Sequence, residues 1–240
     1  MVVLDSALLK STLRDELRAA WRKLHADPGH DRLYGFGVYT TDSASYLMVT
    51  AFGEHGLDGV VERAVANFGP GGRHADLRAF ALKSGGTPDD PELQRLSLRW
   101  SPGDSPLHQV GSALLPRSDK IIQELDFEGR WSDDEDLDDD AFEEALEHGD
   151  PEVDAVFRII QEVLGELDRD GLFGTGDERE RLVLSIWQGD QSNQSRYDFA
   201  KALNPPMVTA RFGRELNDAA RAYDRLYHGK ASEREDDVFE

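Results

Sequence analysis

Apolar residues recur every three to four positions in three long segments, and this spacing predicts amphipathic helices. In residues 6–25 the apolar stripe consists of Leu9, Leu13, Leu17, Trp21 and Leu24. In residues 151–170 it consists of Val153, Val156, Phe157, Ile160, Val163, Leu164 and Leu167. In the last segment it consists of Val208, Phe212, Leu216, Ala219, Tyr223 and Leu226. Each stripe predicts a helix with one buried face.

Capping residues mark the ends of the second and third of these helices. Asp150 and Pro151 suit the N-cap and first helical position, and Gly171 suits the position just past the end. Asn204 followed by a proline predicts a similar start for the last helix, and Gly229 predicts its end. Shorter helices are expected at residues 57–68 and 197–203.

Alternating or continuous apolar runs predict the strands. Residues 33–39 and 46–52 flank a turn-rich segment and predict a β-hairpin. "LQRLSLRWSP" (93–102) alternates leucine with polar residues and predicts a third strand, and "RLVLSIW" (181–187) predicts a central strand. We therefore expect an α+β fold with a mostly antiparallel sheet of about four strands and helices packed against it.

The domain organisation follows from where the apolar pattern stops. The length of 240 residues suits one large domain or two small ones, and the sequence, which shows no internal repeat, predicts one α+β domain over residues 1–230. Residues 132–140 contain a single apolar residue and predict an inserted acidic loop, and residues 231–240 predict a disordered acidic tail.

The charge of the chain is concentrated rather than spread evenly. The formal net charge is −21 over 240 residues, and residues 126–150 alone hold 13 acidic residues and one arginine. This charge disfavours nucleic acids and anionic membranes as partners, because both would be repelled. A basic protein partner is compatible with it. The candidate partner-binding residues are Asp133, Asp134, Glu135, Asp136, Asp138, Asp139 and Asp140.

Several functional classes lack the residues that they need. The chain has no cysteine, its N-terminus does not resemble a signal peptide, and no apolar run approaches the length of a membrane span. A cytoplasmic protein without a membrane interaction is expected. The acidic insert departs from the calcium-loop pattern at Asp139 and Ala145, and the seven histidines lack ligand spacing, so no metal site is predicted.

The stretch "GLFGTGDERE" (171–180) resembles a phosphate loop in its glycines alone. A dinucleotide loop follows a strand and opens a helix, whereas this stretch follows a predicted helix and precedes a predicted strand. Asp177 and Glu178 would also repel a phosphate. We interpret the three glycines as a bend, and we expect no cofactor.

A second candidate site lies where two predicted strands end. Arg99 and Trp100 close one predicted strand, and Trp187 and Asp190 follow the other. Tryptophan and arginine are favoured anchors of binding surfaces. The alternative is structural: the two tryptophans belong to the core and Arg99 pairs with Asp190.

The ordered set of "LYGFGVYTTDSAS", "LRWSP", "GLFGTGDERERLVLSIWQGD" and "ALNPP" resembles the bacterial family catalogued as domain of unknown function 4303. The resemblance spans about residues 5–227, and the acidic insert and tail depart from it. It implies a compact α+β bacterial domain and supplies no catalytic residues. Proteins of this sort look similar to small immunity-type proteins of bacterial toxin systems.

Three functions remain open at this point. The first is a protein-binding module, immunity-like in character, that uses the acidic surface. The second is an enzyme or small-ligand binder with a pocket near Trp100 and Trp187. The third is a structural or regulatory domain with no small-molecule site. The missing catalytic motifs favour binding, and whether the chain is an enzyme stays undecided.

Overall fold

The computed structural model describes residues 3–27, 32–125, 150–189 and 191–229. The three strands are β1 (Leu33–Thr40), β2 (Met48–Gly53) and β3 (Val183–Gln188). The helices of the first half are α1 (Ser6–Ala26), α2 (Glu54–Phe68), α3 (Ala75–Lys83), α4 (Pro91–Leu98), α5 (Pro106–Gln109) and α6 (Pro116–Gln123). Those of the second half are α7 (Pro151–Arg169), α8 (Asp177–Arg181), α9 (Asn193–Leu203) and α10 (Pro206–His228). Two short 3₁₀ turns, Pro102–Asp104 and Gly111–Ala113, flank α5.

The sheet is small and mixed, in the order β2-β1-β3. β1 pairs with β2 antiparallel, with Val38 opposite Val49, and with β3 parallel, with Val38 opposite Ile186. The α+β class is confirmed, but the prediction of about four mostly antiparallel strands is wrong. β3 was predicted to be central. It is buried along almost its whole length, but it lies at the sheet edge and is covered by helices instead of by a further strand.

The predicted third strand at residues 93–102 is mostly helix α4. Asp90 accepts hydrogen bonds from the backbone N–H groups of Glu92 and Leu93, and Pro91 occupies the first turn. Both features start a helix. The leucines at 93 and 96 are also three residues apart, which is a helical spacing. The alternation of leucine and polar residues in this segment is therefore the pattern of a short helix and not of a strand.

The helices cover both faces of the sheet. On one face Phe36, Val38, Leu184 and Ile186 pack with the apolar stripes of α1 and α7. On the other face lies a second core cluster, which includes residues of α2, α9 and α10. Its buried members are Tyr34, Phe52, Leu57, Val61, Trp100, Val183, Trp187, Ala200, Val208, Phe212 and Leu216.

Two glycines of β1 make room for the tryptophans on this second face. A Cβ atom on Gly35 would lie 2.8 Å from the Trp100 ring, and one on Gly37 would lie 2.7 Å from the Trp187 ring and 1.9 Å from the Ser185 carbonyl oxygen. Any side chain at these positions would therefore displace a tryptophan or the neighbouring strand.

The segment 171–176 forms the predicted bend. Gly171, Gly174 and Gly176 all have positive φ angles, 77°, 86° and 53°, which glycine adopts without steric cost. Between them Phe173 is buried in the core beneath α1. The chain then enters the short helix α8, which the sequence pattern did not indicate, before it reaches β3.

Asn204 does not cap α10 as predicted. Its side-chain oxygen accepts from the Leu184 N–H at 2.9 Å, and its amide nitrogen donates to the Leu184 carbonyl at 2.7 Å. The side chain thus pairs with the backbone of β3 in place of a neighbouring strand. α10 begins instead at the second proline, Pro206. Proline is favoured at the first helical position because the N–H that it lacks would have no partner within the helix.

Candidate functional site

A cleft of about 840 Å³ opens beside Trp100, where β1 and β3 begin and β2 ends. Its walls come from segments that are far apart in the sequence, at the C-terminal end of α1, the starts of β1 and α2, the end of α4, the bend before β3, and α10. The lining residues used below are Trp21, His25, Asp27, Arg32, Tyr34, Glu54, Asp58, Arg95, Arg99, Trp100, Phe173, Glu178, Arg181, Arg211 and Glu215.

Aromatic rings form the base of the cleft. The Trp100 ring meets Tyr34 and Phe212 edge to face, with centroid distances of 5.0 and 4.7 Å. Trp21 and Phe173 make a similar edge contact at 5.1 Å under the other side of the cleft. Trp100 is only 2% exposed, so it offers a ligand little contact surface. It shapes the base of the cleft and supplies one polar group, its indole N–H.

A chain of alternating arginines and carboxylates crosses the cleft above these rings. Arg95 contacts Asp58 and donates to Glu54 at 2.7 Å. Glu54 also accepts from Arg99 at 2.9 Å, and Arg99 reaches Glu215 with its Nε at 3.4 Å. Each arginine is thus held by two carboxylates, which fixes the positions of charges that would otherwise move with their long side chains.

Arg99 is the centre of this chain. Its guanidinium lies 4.0 Å from the centre of the Tyr34 ring, and the Tyr34 hydroxyl donates to the Arg99 carbonyl at 2.8 Å. Burial by itself lowers the pKa of Arg99, but the charges of Glu215 and Glu54 and the hydrogen bond to Glu54 act against it, and the pKa is raised. Burial raises the pKa of the Tyr34 phenol, which stays neutral at physiological pH.

Glu215 joins the charged chain to the aromatic base. Its Oε2 accepts the indole N–H of Trp100 at 3.0 Å, and its Oε1 lies 3.7 Å from the Nε of Arg211. Burial lowers the pKa of Arg211, and nearby arginines lower it further against the pull of Glu215. Arg211 also donates to the backbone carbonyls of Glu180 and Arg181 at 2.9 Å each, which ties α10 to the segment before β3.

Most charges of the cleft are paired with one another. Its central carboxylates are all engaged by arginine, and its edges carry Arg32 and Arg181. Among the residues that the structure describes, no group of three or more histidine, aspartate or glutamate side chains could hold a metal ion. The fixed charges and buried rings are suited to orienting a bound molecule.

The structure brings together only part of the patch predicted from the sequence. Arg99 and Trp100 line the cleft, but they follow a helix rather than a strand. Trp187 is fully buried and does not line the cleft, although Phe52 packs against both tryptophan rings, at 5.1 Å from Trp187 and 5.4 Å from Trp100.

The remaining predicted site residues lie outside the described part of the chain. These are Asp190 and the acidic set Asp133, Asp134, Glu135, Asp136, Asp138, Asp139 and Asp140. In the described residues the carboxylate partners of Arg99 are Glu54 and Glu215.

Sequence reasoning missed Tyr34, Glu54, Arg95 and Glu215. One signal was present, because Arg95 and Arg99 are four residues apart and share a face when this segment is helical. The predicted strand concealed that spacing. Nothing in the sequence distinguishes Glu54 or Glu215 among 48 acidic residues.

The comparisons with known proteins bear on the family alone. No helix in the described residues is both long and apolar enough to cross a membrane. No curated protein and no solved structure matches the chain. Residues 72–205, more than half of the chain, match the family model described as "Domain of unknown function (DUF4303)". This match includes Arg95, Arg99, Trp100 and Arg181 of the cleft, and the chain belongs to the DUF4303 family.

Proposed function

We propose that this protein is a binding protein and that the cleft beside Trp100 is its ligand site. The observation that carries the proposal is the cleft itself, with an aromatic base and a rim of fixed charges. Its volume of about 840 Å³ lies within the range of roughly 300–1,000 Å³ that is typical of small-molecule sites. A single side chain of a protein partner would also fit into it.

The network of contacts supports binding because it holds the site in place before a ligand arrives. Arg95 and Arg99 are each fixed by two carboxylates, and Trp100 is fixed by its bond to Glu215. A site whose side chains are already ordered loses little conformational entropy on binding. The same engagement argues against a catalytic role, because none of these carboxylates is left free to exchange protons with a substrate.

The test uses a bulky residue at the mouth of the cleft. Ala26 lines the cleft at the exposed end of α1, whereas Ala19 is exposed on the same helix outside it. We expect Ala26→Trp to weaken binding of the neutral fluorescent probe phenylnaphthylamine, while Ala19→Trp leaves it unchanged. The readout is the probe's fluorescence titration. Equal binding by the two variants would rule out the cleft as the site.

A second candidate function rests on charge. Residues 126–150 carry 13 acidic residues and one arginine, and we propose that they bind a basic protein partner by electrostatic attraction. If that partner is a toxin, the protein acts in an immunity-like way. This proposal comes from the sequence alone, because residues 126–149 lie outside the described part of the chain.

The two functions are separated by a matched pair of variants. In one, the seven acidic residues within 133–140 become the corresponding amides, and in the other the five acidic residues within 232–240 do. We expect a basic protein to be retained from native lysate by the wild type and by the tail variant, but not by the first variant. Retention should weaken as salt is raised. Retention by all three proteins would exclude the acidic segment as the binding surface.

A further inference from the structure

We infer that the ligand of the cleft carries an acidic group, a carboxylate or a phosphate, and that Arg32 and Arg181 bind this group. The inference rests on the proposed function and adds the chemical class of the ligand. It follows from how the sheet places these two arginines and from what the other charges of the cleft already bind.

Both arginines lie just before the end of the sheet at which the parallel strands β1 and β3 begin. Gly35 lies opposite Val183 in the register. Arg32 directly precedes β1, and Arg181 is the last residue of α8, two positions before Val183 at the start of β3. Both line the cleft.

Neither guanidinium is engaged in the part of the chain that the structure describes. Arg95 and Arg99 are neutralised by Asp58, Glu54 and Glu215, whereas no ion pair or side-chain hydrogen bond involves Arg32 or Arg181. The other acidic lining residues are Asp27 and Glu178. Asp27 is not free, and Glu178 faces His25 at 3.8 Å.

Arg211 is a further positive charge of the cleft, and it holds the backbone beside Arg181 in position. Both of its terminal nitrogens donate to the carbonyls of Glu180 and Arg181, so the backbone that carries Arg181 is held in position. The Nε of Arg211 is buried without a hydrogen bond and lies 3.7 Å from Glu215. Arg211 thus lines the same cleft as Arg32 and Arg181, and its own nearby carboxylate is Glu215.

An acidic group is the ligand chemistry that this arrangement recognises. Guanidinium groups that line one cleft without a carboxylate partner can both donate hydrogen bonds to an acidic group bound between them. Arg32 also has a φ of 56°, a left-handed conformation that is unusual for a residue with a side chain and is common at functional sites. The aromatic base beside it accommodates the apolar body of the same ligand.

The experiment compares two probes that differ by one acidic group, anilinonaphthalenesulfonate and the neutral phenylnaphthylamine. The test variant is the double substitution Arg32→Gln and Arg181→Gln. Its control is Arg158→Gln, an exposed arginine of α7 outside the cleft. We expect the double variant to bind the sulfonate probe about tenfold more weakly and the neutral probe unchanged, in line with the loss of charge-assisted hydrogen bonds at a partly exposed site. The control should match the wild type with both probes.

The possible outcomes separate this inference from the proposed function. If Ala26→Trp blocks both probes but the arginine variant binds the sulfonate probe as tightly as the wild type, the cleft is a ligand site and the acidic-group inference is wrong. If Ala26→Trp blocks neither probe, the proposed function itself fails. Displacement of the sulfonate probe by benzoate but not by inorganic phosphate would assign a carboxylate, and the reverse would assign a phosphate. Displacement by neither would overturn the inference.

Discussion

Replacing Glu215 by alanine tests whether the charged chain and the aromatic base depend on one carboxylate. The substitution leaves the indole N–H of Trp100 without its acceptor in a site that is 2% exposed. An unsatisfied buried donor costs about 1–3 kcal/mol. The contact to Arg99 is long, at 3.4 Å, and Arg99 keeps Glu54, so this loss adds about 0.5 kcal/mol. We expect Glu215→Ala to lower the free energy of unfolding by about 2–3 kcal/mol.

The assay is urea unfolding followed by circular dichroism, with two comparison variants. Asp218→Ala removes a carboxylate one turn further along α10 whose partner is the exposed Arg221, and it should cost at most about 0.5 kcal/mol. Glu215→Gln keeps an oxygen for the indole N–H and should cost about 1 kcal/mol. Equal losses for Glu215→Ala and Asp218→Ala would show that the bond to Trp100 contributes nothing to stability and would refute this reasoning.

Three further predictions address the sheet and its surroundings. Gly37→Ala should lower the free energy of unfolding by about 3 kcal/mol or more, because its Cβ would lie 1.9 Å from a backbone oxygen, whereas Gly103→Ala meets nothing within 4 Å; similar melting temperatures for the two variants would contradict the packing. Asn204→Ala should cost about 2–4 kcal/mol in urea unfolding, because it unpairs two backbone groups of β3, and a loss below about 0.5 kcal/mol would be inconsistent with this. Burial lowers the pKa of His108 from its usual 6.5 in the folded protein. Below pH 6.5 the unfolded chain therefore binds more protons than the folded protein. The stability due to a neutral His108 is present above pH 6.5 and is lost as the pH falls below it. His108→Gln should flatten that slope in unfolding measured across this range, and an unchanged slope would exclude His108 as its source.

The long helices could be predicted because their signals are local. The stripes in α1, α7 and α10 repeat at helical spacing. Asp150 caps α7 through a hydrogen bond to the Glu152 N–H, and Gly229 ends α10 in the left-handed conformation, as their residue types predict. Both strands of the hairpin are also present. Where a short segment carries its own start, end and apolar period, the sequence is sufficient.

The number of strands was overestimated because a short apolar run can be either a strand or a helix. The segment 93–98 offers only two turns of helix, too few for a period of 3.6 to be distinguished from a period of 2. The feature that distinguishes the two is Asp90 followed by Pro91, which starts a helix. The position of β3 at the sheet edge depends on Asn204, whose side chain replaces a neighbouring strand. Residue type alone does not reveal that role.

Two residues of the candidate site could be predicted from their residue types, but the residues that they contact could not. Arg99 and Trp100 attract notice as anchor residues. Their partners Glu54, Tyr34 and Glu215 lie 45, 65 and 116 positions away from Arg99 in the sequence. Contacts at such separations are set by the packing of α2, α4 and α10 around the sheet, and a single sequence contains no record of it.

The glycines of β1 connect the sheet to the cleft. Glycine in a strand usually weakens the strand, because it loses more conformational freedom and packs no side chain. Here Gly35 leaves the space that the Trp100 ring occupies, and the buried ring then places its N–H where Glu215 accepts it. Glu215 in turn contacts Arg99 and Arg211, which define the two sides of the cleft. The weak strand residue is therefore a requirement of the site, since a larger residue at position 35 would move the ring on which the network of charges is built.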